Sequence, residues 1–185
     1  MKKVILASQS PRRKMLLEWA EIAFEVRVTE TDEQFPVDMQ VADIPIYIAR
    51  NKAEAIRHTE DELVIAADTV VILDEEIIGK PKNREEAIYI LSRLSGKQHR
   101  VITGVVIRNG SHEIAFADTT VVTFHPLNRE QIEFYVDKYK PYDKAGAYAI
   151  QEWIGVVGIH SIQGDFYNVM GLPISRVVKE LQQFR

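Results

Sequence analysis

Val4-Ile5-Leu6-Ala7-Ser8-Gln9-Ser10-Pro11-Arg12-Arg13 sets a short apolar run directly against a helix start. Four apolar residues bounded by polar ones read as a buried strand. Ser10 is a favoured helix cap, and Pro11 is pre-organised for the first helical position. Met15, Leu16, Leu17 and Trp19 then give that helix an apolar side. A buried strand feeding directly into a helix is the opening unit of an α/β fold.

The alternation continues outward from there. Phe24 to Val28 alternates like a half-buried strand, and Thr29 to Val41 is a polar loop. Ile46, Ile48, Ala49, Ala53 and Ile56 have helical spacing, predicting a helix from about Ile44 to His58. Leu63 to Ala67 is a second apolar strand ending at Asp68, with Thr69 to Leu73 continuing it or bending away. Asn83 with Glu86 has capping-box spacing, and Gly96 closes the helix that follows. Val101 to Ile107 and Ile114 to Phe124 are predicted strands joined through Asn109-Gly110, a strong hairpin signal. Asn128 with Gln131 starts another helix, ending near Lys140-Pro141. Ala147 to Ile150 and Ile154 to Ile162 read as strands, Gly164-Asp165 as a turn, and Leu172-Pro173 as the start of the last helix. The predicted fold is α/β: a mixed, elongated, twisted sheet flanked by helices, with two lobes around a cleft.

Composition narrows the function. The 185 residues carry 23 Lys and Arg against 27 Asp and Glu, a formal charge of −4, with 46% hydrophobic residues. That is a globular composition, and the length suits one domain over residues 1–185. With no Cys, disulfides, thiolate metal sites and Cys nucleophiles are excluded. The acidic balance speaks against nucleic acid as a partner. The run after Lys2-Lys3 is too short for a secretion signal, and no run approaches the ~20 apolar residues of a membrane span. A cytoplasmic protein with no membrane partner is the expectation.

Three constellations carry candidate chemistry. Ser8, Ser10, Arg12 and Arg13 surround a helix N-terminus, where free N–H groups and the helix dipole favour a phosphate. Hydroxyls and two guanidinium forks would complete the cradle; solvated arginines on an ordinary capped helix are the plainer alternative. No P-loop or G-x-G-x-x-G accompanies them. Asp68, at a strand end, suits a divalent metal or a water, or else satisfies local backbone donors in a turn. Val70 stands where a nucleophilic-aspartate phosphatase would carry its second Asp. Glu30, Asp32 and Glu33 could complete a Mg²⁺ site or be a solvated acidic loop. Lys52 lies on a helix, Lys80 in the rigid turn Gly79-Lys80-Pro81, and Lys144 before Ala145-Gly146-Ala147, where a ligand can approach the backbone. With Arg12 and Arg13 they make five cations that would have to converge. The five His are scattered without metal-ligand spacing.

Together these segments resemble the Maf family of nucleoside triphosphate pyrophosphatases. The similarity runs through Leu6 to Arg13, Asn51-Lys52-Ala53, Ala67-Asp68-Thr69-Val70-Val71, Gly79-Lys80-Pro81, Leu94-Ser95-Gly96 and Thr103-Gly104-Val105. It continues through Asp143 to Tyr148, Ile150-Gln151 and Asn168 to Pro173. The resemblance implies a fold like that of the inosine triphosphate pyrophosphatases. It implies hydrolysis between the α and β phosphates, dependent on Mg²⁺ or Mn²⁺, giving a nucleoside monophosphate and pyrophosphate. It makes Asp68 the general base, with Glu33 lining the site; since an ordinary aspartate is a poor base for bulk water, Asp68 is expected to act on a metal-bound water, with Glu33 as the second carboxylate toward the metal. It puts Ser8, Arg12, Arg13, Lys52, Thr69, Lys80, Lys144 and Gln151 around the substrate. One subfamily prefers dTTP and UTP and carries an Arg, a Thr and a Gln as specificity residues; Arg13 (or Arg12), Thr69 and Gln151 stand there. Many relatives have Gly after that Gln, where this chain has Glu152-Trp153. A homodimer is a family-level expectation. The alternatives are a pyrophosphatase for a modified nucleotide such as 7-methyl-GTP, and a non-enzymatic binding protein of cell division, a role associated with the family's name.

Overall fold

A computed structural model describes residues 2–184. Met1 and Arg185, the ends of the predicted 1–185 domain, lie outside the described residues. The elements, in chain order, are β1 (Lys3–Leu6), α1 (Pro11–Trp19), β2 (Phe24–Val26), α2 (Ile44–Glu54), β3 (Glu62–Leu73), β4 (Glu76–Ile78) and α3 (Arg84–Leu94). Then follow β5 (Gln98–Asn109), β6 (His112–Phe124), α4 (Arg129–Tyr139), α5 (Trp153–Gly158), β7 (Ile159–Gln163), α6 (Phe166–Met170) and α7 (Ile174–Leu181). The strands form one sheet in the order β2-β1-β3-β5-β6-β7, with β4 on β3. β1 pairs in parallel with β2 and β3, while β3–β4 and β6–β7 are antiparallel, so the sheet is mixed as predicted.

The chain divides into two compact units. The first comprises residues up to Thr69, Thr103–Asp118 and Gly171 onward; the second, Val70–Ile102 and Thr119–Met170. In the first, Ile5, Ala7, Val64, Ala66 and Val106 form a core with Ala49, Ala53 and Ile56. Alanine on both sides lets α2 lie close to the strands. Gly104 shows how close: a Cβ there would stand 2.3 Å from the Ile46 amide nitrogen.

In the second unit, α3 and α4 pack together, burying Leu91, Leu94, Ile132, Tyr135 and Val136. Both start as the sequence predicts. Asn83 Oδ1 accepts from the Glu86 amide at 2.9 Å, and Asn128 and Gln131 form a reciprocal capping box.

The structure corrects several element boundaries. Of the two courses open to Thr69–Leu73, the structure takes the continuation: β3 runs on to Leu73, as its β-branched residues favour, so Asp68 sits in mid-strand. α2 stops at Glu54 rather than His58, because the Arg57 carbonyl is taken by Arg27 at 2.8 Å and Ile56 turns into the core. Ala147–Ile150 is not a strand; it is a buried, turning segment with Ala147 at φ 59°. Ile154–Ile162 opens as helix α5 and only its end becomes β7. Ile154 is buried while Val156 is 81% exposed, so an apolar sequence here marks a one-sided helix. α6 was not predicted; Asp165 starts it by accepting from the Asn168 amide at 2.7 Å. α7 begins at Ile174, with Leu172 buried ahead of it.

Candidate active site

In the first unit, the β1–α1 junction builds one half of a cluster. Ser10 Oγ accepts from the Arg13 amide, as a helix cap does. Ser8, buried at the end of β1, accepts from the Ser10 amide and from one Arg13 Nη, each at 3.2 Å. Arg13 also donates through Nε to the Gly171 carbonyl (2.7 Å) and through its other Nη to Thr69 Oγ1 (3.0 Å). Thr69 in turn meets the fully buried Thr103 hydroxyl at 2.8 Å. Desolvation lowers the Arg13 pKa to about 10; the Asp68 charge opposes this, neighbouring Arg12 adds to it, and Glu33 opposes it again. Arg13 therefore stays cationic at neutral pH.

The other half centres on Lys52. Its position on α2, one residue before buried Ala53, places the ammonium beside β3. Lys52 Nζ lies 3.0 Å from Asp68 Oδ1 and 2.8 Å from Glu33 Oε1. The Lys52 and Asp68 side chains are only 18% and 14% exposed, whereas Glu33 is 57% exposed. Successive side chains alternate along a strand. Asp68 accordingly meets Lys52 while its neighbour Thr69 meets Arg13. Of the three loop acids, Glu33 reaches Lys52, and Asp32 instead accepts from the Gln34 amide of its own loop.

Within the second unit, the Lys80 and Lys144 turns are tied by backbone: the Gly146 amide donates to the Gly79 carbonyl at 3.2 Å. Gly146 has φ 72°, and a Cβ there would press on Val71 at 3.1 Å, so the turn requires glycine. Lys80 is exposed. Lys144 is mostly covered and faces two carboxylates, Asp143 at 3.0 Å and Glu152 at 3.6 Å. Glu152 is held from its far side by the Tyr135 hydroxyl at 2.8 Å, which also accepts from the Ala149 amide. Trp153 packs edge-on against Phe134, and Gln151 is exposed.

The structure thus gathers Ser8, Arg13 and Thr69 in one network, and Lys52, Asp68 and Glu33 in another, inside the first unit. It gathers Lys80 and Lys144 on linked turns inside the second. Sequence reasoning missed Thr103, Gly171 and Tyr135 as supports. Thr103-Gly104 had a signal, as a polar and small pair inside the apolar strand Val101–Ile107. Among the described residues no group of three or more His, Asp or Glu is placed to hold a metal. The available donors are the paired carboxylates of Asp68 and Glu33. No helix is long and apolar enough to cross a membrane.

Comparison with known proteins gives a consistent picture. The pattern of the family described as Maf-like protein matches residues 3–184. A protein of Parabacteroides distasonis named dTTP/UTP pyrophosphatase is 51% identical over 185 residues, covering 98% of this chain and 96% of that one. A protein of Cytophaga hutchinsonii with the same name is 50% identical, covering 97% of this chain and 83% of that one. A solved structure, a HAM1 protein from Coxiella burnetii, aligns over 99% of this chain and all of that one, with TM-score 0.52 and 12% identity. At that identity the likeness concerns the fold alone.

Proposed function

From the premise that this chain belongs to the Maf-like protein family, we propose that it hydrolyses nucleoside triphosphates between the α and β phosphates, with dTTP and UTP as its preferred substrates. Its relatives at about half identity carry the name dTTP/UTP pyrophosphatase. The observation that carries the reading is the mid-strand Asp68, part-buried and paired with Lys52, on the same unit as the Arg13 network.

The chemistry follows from the side chains. A triphosphate brings about four negative charges, which a chain of net charge −4 can accept only through local cations. Arg12, Arg13, Lys52, Lys80 and Lys144 serve as those cations. Ser8 and the amides at the start of α1 add hydrogen-bond donors for phosphate oxygens. Asp68 takes a proton from the attacking water; the water oxygen bonds to the α phosphorus as its bond to the bridging oxygen breaks, and pyrophosphate departs. Thr69 and Gln151, with Arg13, discriminate the base.

Asp68 and Glu33 would hold the divalent cation, Mg²⁺ or Mn²⁺. Two carboxylates are too few for a closed cage but fit a hard cation whose remaining ligands are water and substrate phosphates. When bound, it neutralises phosphate charge and acidifies the attacking water, for which an ordinary aspartate is otherwise a weak base.

The same reading treats residues 1–185 as one functional domain, acting in the cytoplasm as a homodimer, with no nucleic acid partner. Purified protein with Mg²⁺ is to be offered dTTP, UTP, dCTP, GTP and 7-methyl-GTP, with pyrophosphate measured. Release from dTTP and UTP ahead of the others is expected. Preference for 7-methyl-GTP would overturn the substrate assignment, and no release from any triphosphate would overturn the activity.

A further inference from the structure

Lys52 does more than add a positive charge. Its ammonium bridges Asp68 and Glu33, at 3.0 and 2.8 Å, so the two carboxylates proposed for the divalent cation are already shared by a resident cation. An ammonium and a hard divalent metal compete for the same oxygens, and the resident one is tethered. Its contact with Asp68 is largely sheltered from water, at 18% and 14% exposure, so that half of the bridge is less screened than a surface pair. Entry of a free metal ion must break both contacts and leave the lysine charge facing a second cation at close range.

We infer that Lys52 is an internal counter-ion that keeps the carboxylate pair closed to free divalent metal and opens it only for a metal–triphosphate complex. Phosphate oxygens are alternative acceptors for the ammonium. A triphosphate gives Lys52 a new partner, and the carboxylates are released as the metal arrives with the nucleotide. The inference rests on the proposed metal role of Asp68 and Glu33, and it adds an order of binding: metal with substrate, not before it.

The test uses nucleotide-free protein and Mn²⁺ alone, read by the spin-resonance signal of free Mn²⁺ and by the thermal midpoint. Wild type is expected to bind weakly, with dissociation constants near a millimolar or above, and its midpoint should not move at low Mn²⁺. Lys52→Gln should bind at least roughly tenfold tighter, the scale for removing one unit charge a few ångströms away in a partly solvated site. Its midpoint should rise with Mn²⁺, because a ligand that binds only the folded state stabilises it. Lys52→Gln combined with Asp68→Asn should lose that gain. Lys52→Arg, which keeps the charge, should stay weak. Micromolar Mn²⁺ binding by wild type overturns the inference whatever the variants do. Equal affinity of wild type and a cooperatively melting Lys52→Gln overturns it too. Should Lys52→Gln not fold, tight binding by Lys52→Arg would count against the inference. Pyrophosphate release by wild type is measured separately, so loss of the counter-ion role and loss of the enzymatic reading are told apart.

Discussion

Lowering the pH below 6.5 should destabilise this protein through one buried histidine, by an amount the structure lets us work out. His99 is 2% exposed, stacks on Phe124 with ring centroids 5.5 Å apart, and shares a 2.6 Å hydrogen bond with the Tyr148 hydroxyl. Burial lowers its pKa from 6.5 to about 4. Tyr148 cannot rescue the charged form, since burial pushes its own ionisation upward and keeps it neutral. The folded value lies below the unfolded one, so His99 costs nothing above pH 6.5. As pH falls below 6.5, the unfolded chain binds a proton that the native chain refuses. Stability then drops by about 1.4 kcal/mol per pH unit until pH nears 4. Between pH 6.5 and 5 the loss is about 2 kcal/mol, and about 3 kcal/mol by pH 4. Carboxylates held below their ordinary range by arginines, such as Glu62 by Arg27, add only a small loss in the upper window, because an unfolded Glu stays mostly ionised down to pH 5. Urea unfolding followed by tryptophan fluorescence at pH 7.5, 6.5, 5.5 and 5.0 measures the effect, with His99→Gln as comparison. The amide still offers Tyr148 a partner and does not titrate. The variant should be less stable at pH 7.5 from lost packing, and the gap should shrink by about 2 kcal/mol at pH 5. Parallel stability curves for the two proteins would refute the argument.

Three further outcomes are expected. Asp68→Asn should cut pyrophosphate release by about 10²–10⁴-fold while calorimetry shows nucleotide affinity largely kept, the pattern of a lost general base. Gly104→Ala should cost at least ~2 kcal/mol in thermal or urea melts, since its Cβ would meet backbone at 2.3 Å, whereas Gly79→Ala, whose Cβ meets nothing within 4 Å, should melt within about 0.5 kcal/mol of wild type. Tyr135→Phe removes hydrogen bonds to Glu152 and the Ala149 amide, so it should lower stability by ~1–3 kcal/mol and, by loosening Glu152 beside Lys144, raise KM more than it lowers kcat.

Legibility in the sequence followed local physics. The starts of α1, α3 and α4 were readable because a cap acts within three residues of itself: Ser10 on Arg13, Asn83 on Glu86, Asn128 on Gln131. The strand β1 was readable because complete burial demands an apolar run. Where burial and secondary structure part company, the pattern misled. Ala147–Ile150 is buried without being a strand, and α5 carries Val156 and Val157 exposed on a short helix. The site residues could be nominated from chemistry and resemblance, but not their partners. Nothing local to Arg13 announces the Gly171 carbonyl 158 residues away, and nothing local to Lys144 announces Tyr135 behind Glu152. The sequence left the course of β3 beyond Asp68 open between continuation and a bend, because the cation that pairs the part-buried mid-strand carboxylate, Lys52, lies 16 residues away.

Arg12 and Arg13, interchangeable as neighbours in the sequence, are separated by this geometry. Arg13 uses three of its five N–H groups on Gly171, Ser8 and Thr69, joining the segments just after β1 and just before α7 to the middle of β3. A lysine could supply the charge but not the fork that reaches all three. Desolvation lowers its pKa to about 10, which at pH 7.5 still leaves well over 99% of it charged. The same guanidinium therefore fixes the site's shape and contributes to its potential. If Arg13 has the specificity role proposed for it, its substitution is expected to change stability and substrate preference together. Gln151, proposed for base discrimination, is exposed, so Gln151→Ala is expected to change the dTTP-to-GTP ratio of pyrophosphate release without moving the urea midpoint.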